Sequence, residues 1–89
     1  MNAVNRWTVE VMIGERAGRT YAEASLHDDI GNRLVGVGRA VLDPDEPDVP
    51  EIGDEIAVAR ALMDLGRRLL ETAGDDLGSL TGRRVHLSR

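Results

Sequence analysis

Residues 48–66, DVPEIGDEIAVARALMDLG, pass from acids punctuated by proline into an apolar run with a glycine near its end. Two explanations compete for this stretch. It is either a carboxylate site for a hard cation or the entry and spine of a helix. Seven acids fall within residues 43–55: Asp43, Asp45, Glu46, Asp48, Glu51, Asp54 and Glu55. The calcium-loop pattern fails, because Pro47 takes the fifth position and Asp48 the place of the turn glycine. The helix explanation needs nothing unusual. Acids at a helix entrance complement the positive end of its dipole, and Asp54 is the natural N-cap, with Asp48 and Glu51 at capping-box spacing as an alternative.

The helix is predicted over residues 54–73, after an acidic, proline-rich connection over 43–53 that excludes regular structure. At about 100° per residue, Arg60, Asp64, Arg67, Arg68 and Glu71 collect on one side. Ile56, Leu62, Met63, Leu65, Leu69 and Leu70 spread over the other half. Ala59, Gly66 and Ala73, spaced by seven, run down the middle of that apolar half. Gly66 inside a helix costs about 1 kcal/mol relative to Ala. The expected compensation is close approach to a surface of small residues, either a sheet or a sister helix in a dimer.

Upstream, the period changes from 3.6 to 2. Trp7, Val9, Val11 and Ile13 alternate with Thr8, Glu10 and Met12 over residues 7–15, and residues 20–27 and 33–42 alternate in the same way. RAGR (16–19) and DDIGN (28–32) are turn clusters, with Gly18 suited to positive φ. The fold class is α+β: a three-stranded antiparallel meander packed against one long helix, β-β-β-α, in a single domain over 1–89. Ala22, Ala24, Gly36, Gly38 and Ala40 supply the small residues for the helix seat. Val35, Val37 and Val41 make the other face of the third strand apolar, which marks it as central or as a subunit contact. Gly36 and Gly38 do not make a dinucleotide fingerprint, since the third glycine is missing and no helix follows directly. After a glycine stop at Gly74, a short helical turn over 75–80 and a basic tail over 81–89 are expected. That tail carries Arg83 and Arg84, and its alternating Val85 and Leu87 could add as a strand to a partner.

Composition narrows the function. Eighty-nine residues without cysteine make a small domain lacking disulfide or thiolate-zinc support, so oligomerisation is the expected supplement to its core. The formal charge of −5, with 16 acids against 11 bases, disfavours non-specific nucleic-acid or lipid binding. No membrane span or signal-peptide pattern is present, so a soluble cytoplasmic protein is expected. His27 and His86 sit in different elements without metal-ligand spacing, and Ser79 lacks a nucleophile elbow. Neither a catalytic set, a metal site nor a cofactor site is expected. Arg60, Arg67 and Arg68 on the helix, with Arg83 and Arg84 in the tail, are the candidate contacts to a macromolecule. Val35, Val37, Val41, Ala59, Gly66 and Ala73 are the candidate packing or dimer contacts.

LVGVG (34–38), PEIGDE (50–55), AVARALMDLG (57–66) and WTVEV (7–11) together resemble a family of small actinobacterial proteins of unknown function. The resemblance covers roughly residues 7–80. It implies a fold like the β-β-β-α core of double-stranded-RNA-binding domains, a homodimer, and a setting of dormancy and stress with ribosome association. It implies no catalytic residues. Arg39 departs from the family pattern, where an apolar residue is usual. RNA-binding domains of this shape place basic residues at the start of the last helix, where this chain has IGDE. Isolated double-stranded RNA is therefore not expected to bind there.

Overall fold

The computed structural model describes residues 4–45, 47, 49–82 and 87. Three strands, β1 (Thr8–Arg16), β2 (Arg19–His27) and β3 (Arg33–Val41), precede one helix, α1 (Pro50–Thr81). The sheet is an antiparallel meander in the order β1-β2-β3. Each strand lies within two residues of its sequence-predicted bounds, because alternation of side chains marks a half-buried strand directly.

Register follows from the turns. Ala17 and Gly18 form a two-residue hairpin with φ of 51° and 74°, placing Arg16 opposite Arg19 and Ile13 opposite Ala22. In the second turn the Asp28 carboxylate accepts the backbone N–H groups of Ile30 (3.0 Å) and Asn32 (2.8 Å), and Gly31 takes φ 90°. That register aligns Ala22 with Gly38 and Ala24 with Gly36. One face of β2 and β3 is thus paved with small residues, as their spacing predicts.

The helix differs from its prediction at both ends. It begins at Pro50 rather than Asp54, with Val49 as an N-cap that offers no side-chain bond. Proline at the first helical position loses no hydrogen bond, since that N–H has no intrahelical partner in any case. Asp54 consequently lies inside the helix, where one carboxylate oxygen is buried without a partner. The capping-box alternative involves Asp48, which lies outside the described residues. Gly74 does not stop the helix. It is buried within it, and the short turn expected over 75–80 is a continuation of α1. Termination comes at Gly82, which adopts the left-handed conformation at φ 70° that glycine takes without a Cβ penalty.

The seat of the helix also differs. The residues buried in the helix–sheet contact are Ala57, Ala61 and Leu65, against Ala22, Ala24, Leu26 and Ala40. Gly36 and Gly38 lie directly beneath helix backbone: a Cβ on Gly36 would fall 2.7 Å from Leu65 Cα, and one on Gly38 would fall 2.8 Å from the Arg60 carbonyl carbon. By contrast, a Cβ on Gly66 would meet nothing within 4 Å, and Ala59 and Ala73 are exposed. The expected Ala59–Gly66–Ala73 seat on the sheet is therefore incorrect. The helix is rotated by about 140° from that orientation, at ~100° per residue. Polar groups account for the rotation. Asp64 accepts the Val37 backbone N–H at 2.9 Å, and Arg60 donates to the Arg39 carbonyl at 2.7 Å. Satisfying the open edge of β3 turns the polar stripe toward the sheet and much of the apolar half toward solvent.

Candidate functional site

The arginines singled out in the sequence are largely occupied by the fold. Asp64 gathers the helix pair: Arg67 donates to Asp64 at 2.8 Å and also pairs with Glu71, and Arg68 donates through Nε at 3.0 Å. The Val37 N–H, with both guanidinium groups beside it, holds the Asp64 carboxyl well below the usual aspartate range. Arg60 reaches the β3 backbone instead of an acid. These three side chains brace the helix to the sheet edge. Arg83 and Arg84 lie outside the described residues.

A different arginine group stands on the sheet face turned away from the helix. Arg16 and Arg19 are directly opposed across β1 and β2. One row further, Tyr21 lies between Gly14 and Arg39, with the Arg39 guanidinium 5.9 Å from the Tyr21 ring centroid. Glu23 on the same face is engaged by the Tyr21 hydroxyl (3.2 Å) and Arg33 (3.5 Å). Among the described residues, Arg16, Arg19 and Arg39 stand outside the ion pairs formed by Arg33, Arg67 and Arg68. Sequence spacing hides this group, because it is assembled across three strands. Only the strand register reveals it.

The proposed packing contacts divide between two surfaces. Val35 and Val37 are half-buried and Val41 is exposed on the outer sheet face, whereas Ala59, Gly66 and Ala73 line the solvent side of the helix. The fold does not bring these two sets together.

The first turn of α1 carries Glu51, with Asp54 and Glu55 following. Phosphates approaching that end would meet carboxylates. A cleft of about 170 Å³ lies beside it, lined largely by Val41, Leu42, Val49, Ile52 and Ile56. Its polar side chains, Glu15 and Thr20, do not form a nucleophile–base set. Among the described residues no group of three or more His, Asp or Glu comes together to hold a metal ion. No described helix is long and apolar enough to cross a membrane.

Comparison with known proteins yields consistent matches. The profile of a family described as Rv2632c-like matches residues 5–86. The uncharacterized protein Mb1767 of Mycobacterium bovis is 44% identical over 86 residues, covering 97% of this chain and 90% of that protein. The uncharacterized protein Rv2632c of Mycobacterium tuberculosis is 43% identical over 77 residues, covering 86% of this chain and 82% of its own length. The crystal structure of Rv2632c superposes with a TM-score of 0.80 at 40% identity, covering 90% of this chain and 94% of that one.

Proposed function

The chain belongs to the Rv2632c-like family, and on that premise we propose that it is a non-catalytic homodimeric protein that acts by association. One observation carries this: none of the large side chains among the described residues is fully buried. The buried core holds five alanines and two leucines, while Met12, Ile13, Leu62 and Met63 remain exposed by 44–64%. A small domain with so little apolar burial gains stability by covering such surface with a partner. Sedimentation at micromolar concentration tests the proposal. A dimer is expected, and a stable monomer would overturn it.

The family resemblance supplies the setting, a cytoplasmic role in stress and dormancy with the ribosome as partner. The observation favouring a ribosomal partner is the Arg16–Arg19–Arg39 group, whose guanidinium groups lack acidic partners among the described residues and suit phosphate oxygens. Co-sedimentation with ribosomes at low salt, where phosphate contacts are strongest, is the corresponding test. Recovery of one protein partner regardless of nuclease treatment would instead favour recruitment through the acidic loop or the C-terminal segment.

A further inference from the structure

The two edges of the sheet are treated differently. On β3 the helix supplies side chains to the outward backbone groups, through Asp64 on the Val37 N–H and Arg60 on the Arg39 carbonyl. The β1 edge has no neighbouring strand. All nine β1 residues are exposed, and the helix lies over β2 and β3 with little contact to β1. Neither proline nor lysine interrupts β1, so it lacks the devices that usually blunt an edge strand.

We propose that the β1 edge is the self-association seam, pairing antiparallel with β1 of a second copy to form a continuous six-stranded sheet. This rests on the homodimer proposed above and specifies its geometry. Unpaired strand backbone calls for another strand, and β1 is self-complementary about its midpoint. A register centred on Met12 pairs all nine residues: Met12 meets Met12, Val11 meets Ile13, Glu10 meets Gly14, Val9 meets Glu15 and Thr8 meets Arg16. A one-residue slip would split the apolar row between faces. A two-residue shift toward the N-terminus would set Arg6 against Arg16. In the Met12-centred register Glu10 lies diagonal to the partner's Arg16, within reach of two long side chains. That contact offsets the direct opposition of Arg16 and Arg19 within each copy. The twofold axis runs normal to the sheet, so both helices fall on one face and the Val9–Val11–Ile13 rows become continuous across the seam.

The chain has no native cysteine, so crosslinking reads the seam directly. Met12→Cys in the full-length protein is expected to give a covalent dimer under mild oxidation, while Val41→Cys on the opposite edge strand is not. Val11→Lys, at a position already exposed, is expected to weaken dimerisation about tenfold or more, since symmetry repeats the introduced charge across the seam. Its circular dichroism should match wild type. A wild-type monomer would overturn both the homodimer and the seam. A dimer insensitive to Val11→Lys and without the Met12→Cys crosslink would overturn the seam alone. A Met12→Cys to Leu87→Cys crosslink in place of the symmetric one would put the C-terminal segment on the edge and also overturn it.

Discussion

Gly38 of β3 lies against the backbone of Ala57 in α1, with the Ala57 carbonyl oxygen occupying the place a Cβ would take. Backbone cannot swing aside as a flexible side chain can, so Gly38→Ala must lift the helix or bend the strand. Overpacking of this kind costs about 3 kcal/mol, at the upper end of its usual range. Gly38→Ala and Gly36→Ala are each expected to lower the melting temperature by more than about 10 °C.

Gly66 gives the opposite expectation. Open space above its Cα means that Gly66→Ala recovers helix propensity, about 1 kcal/mol. Gly66→Leu should stay within about 1 kcal/mol of wild type, although the sequence alone points to severe loss. Thermal denaturation of the two variants decides between the two helix orientations.

The depressed Asp64 carboxyl makes stability depend on pH. Its folded pKa lies below the unfolded value of about 4. The associated stabilisation is complete above that value and is lost as pH falls through the folded pKa. Acid titration of wild type should show this loss well below pH 4, together with faster exchange of the Val37 amide. Asp64→Asn should be less stable at neutral pH and lack that part of the acid dependence.

Ala17 sits at φ 51° in the first hairpin, a conformation that costs a residue with a Cβ about 1–2 kcal/mol. Asparagine or glycine suits both the position and the turn type. Ala17→Asn or Ala17→Gly should therefore stabilise the protein by about 0.5–1 kcal/mol, read by chemical denaturation.

The two arginine groups separate structural from interaction roles. Removing Arg67 and Arg68 dismantles the brace around Asp64 and should lower stability with little change in ribosome co-sedimentation. Arg16, Arg19 and Arg39 should show the reverse: alanine at all three positions leaves the fold intact and lowers ribosome recovery at low salt. Loss of recovery with the first pair alone would return the contact to the helix.

Strand positions and the small-residue floor are legible in the sequence because alternation and turn residues act locally. The helix ends are less so. Pro50 resembles a breaker unless its place at the first helical position is recognised, and Gly74 carries the same residue signal as the true stop at Gly82. Helix rotation is set by long-range contact. Counting apolar residues puts Ala59, Gly66 and Ala73 at the centre, whereas the Val37 N–H and Arg39 carbonyl attract Asp64 and Arg60. Those backbone groups become visible only once β3 is known to be an edge. For the same reason, the Arg16–Arg19–Arg39 group emerges from the register rather than from linear spacing.

The 32-residue helix is about 48 Å long, whereas nine-residue strands span about 30 Å. Beyond Asp76 it runs largely exposed, through Leu77 and Leu80, to Gly82. Those last turns form a cantilever: they can melt without disturbing the alanine-lined seat. Hydrogen exchange should divide the helix into a protected segment centred on Ala57–Leu65 and a fast distal end, so the molecule's longest element contains two units of stability.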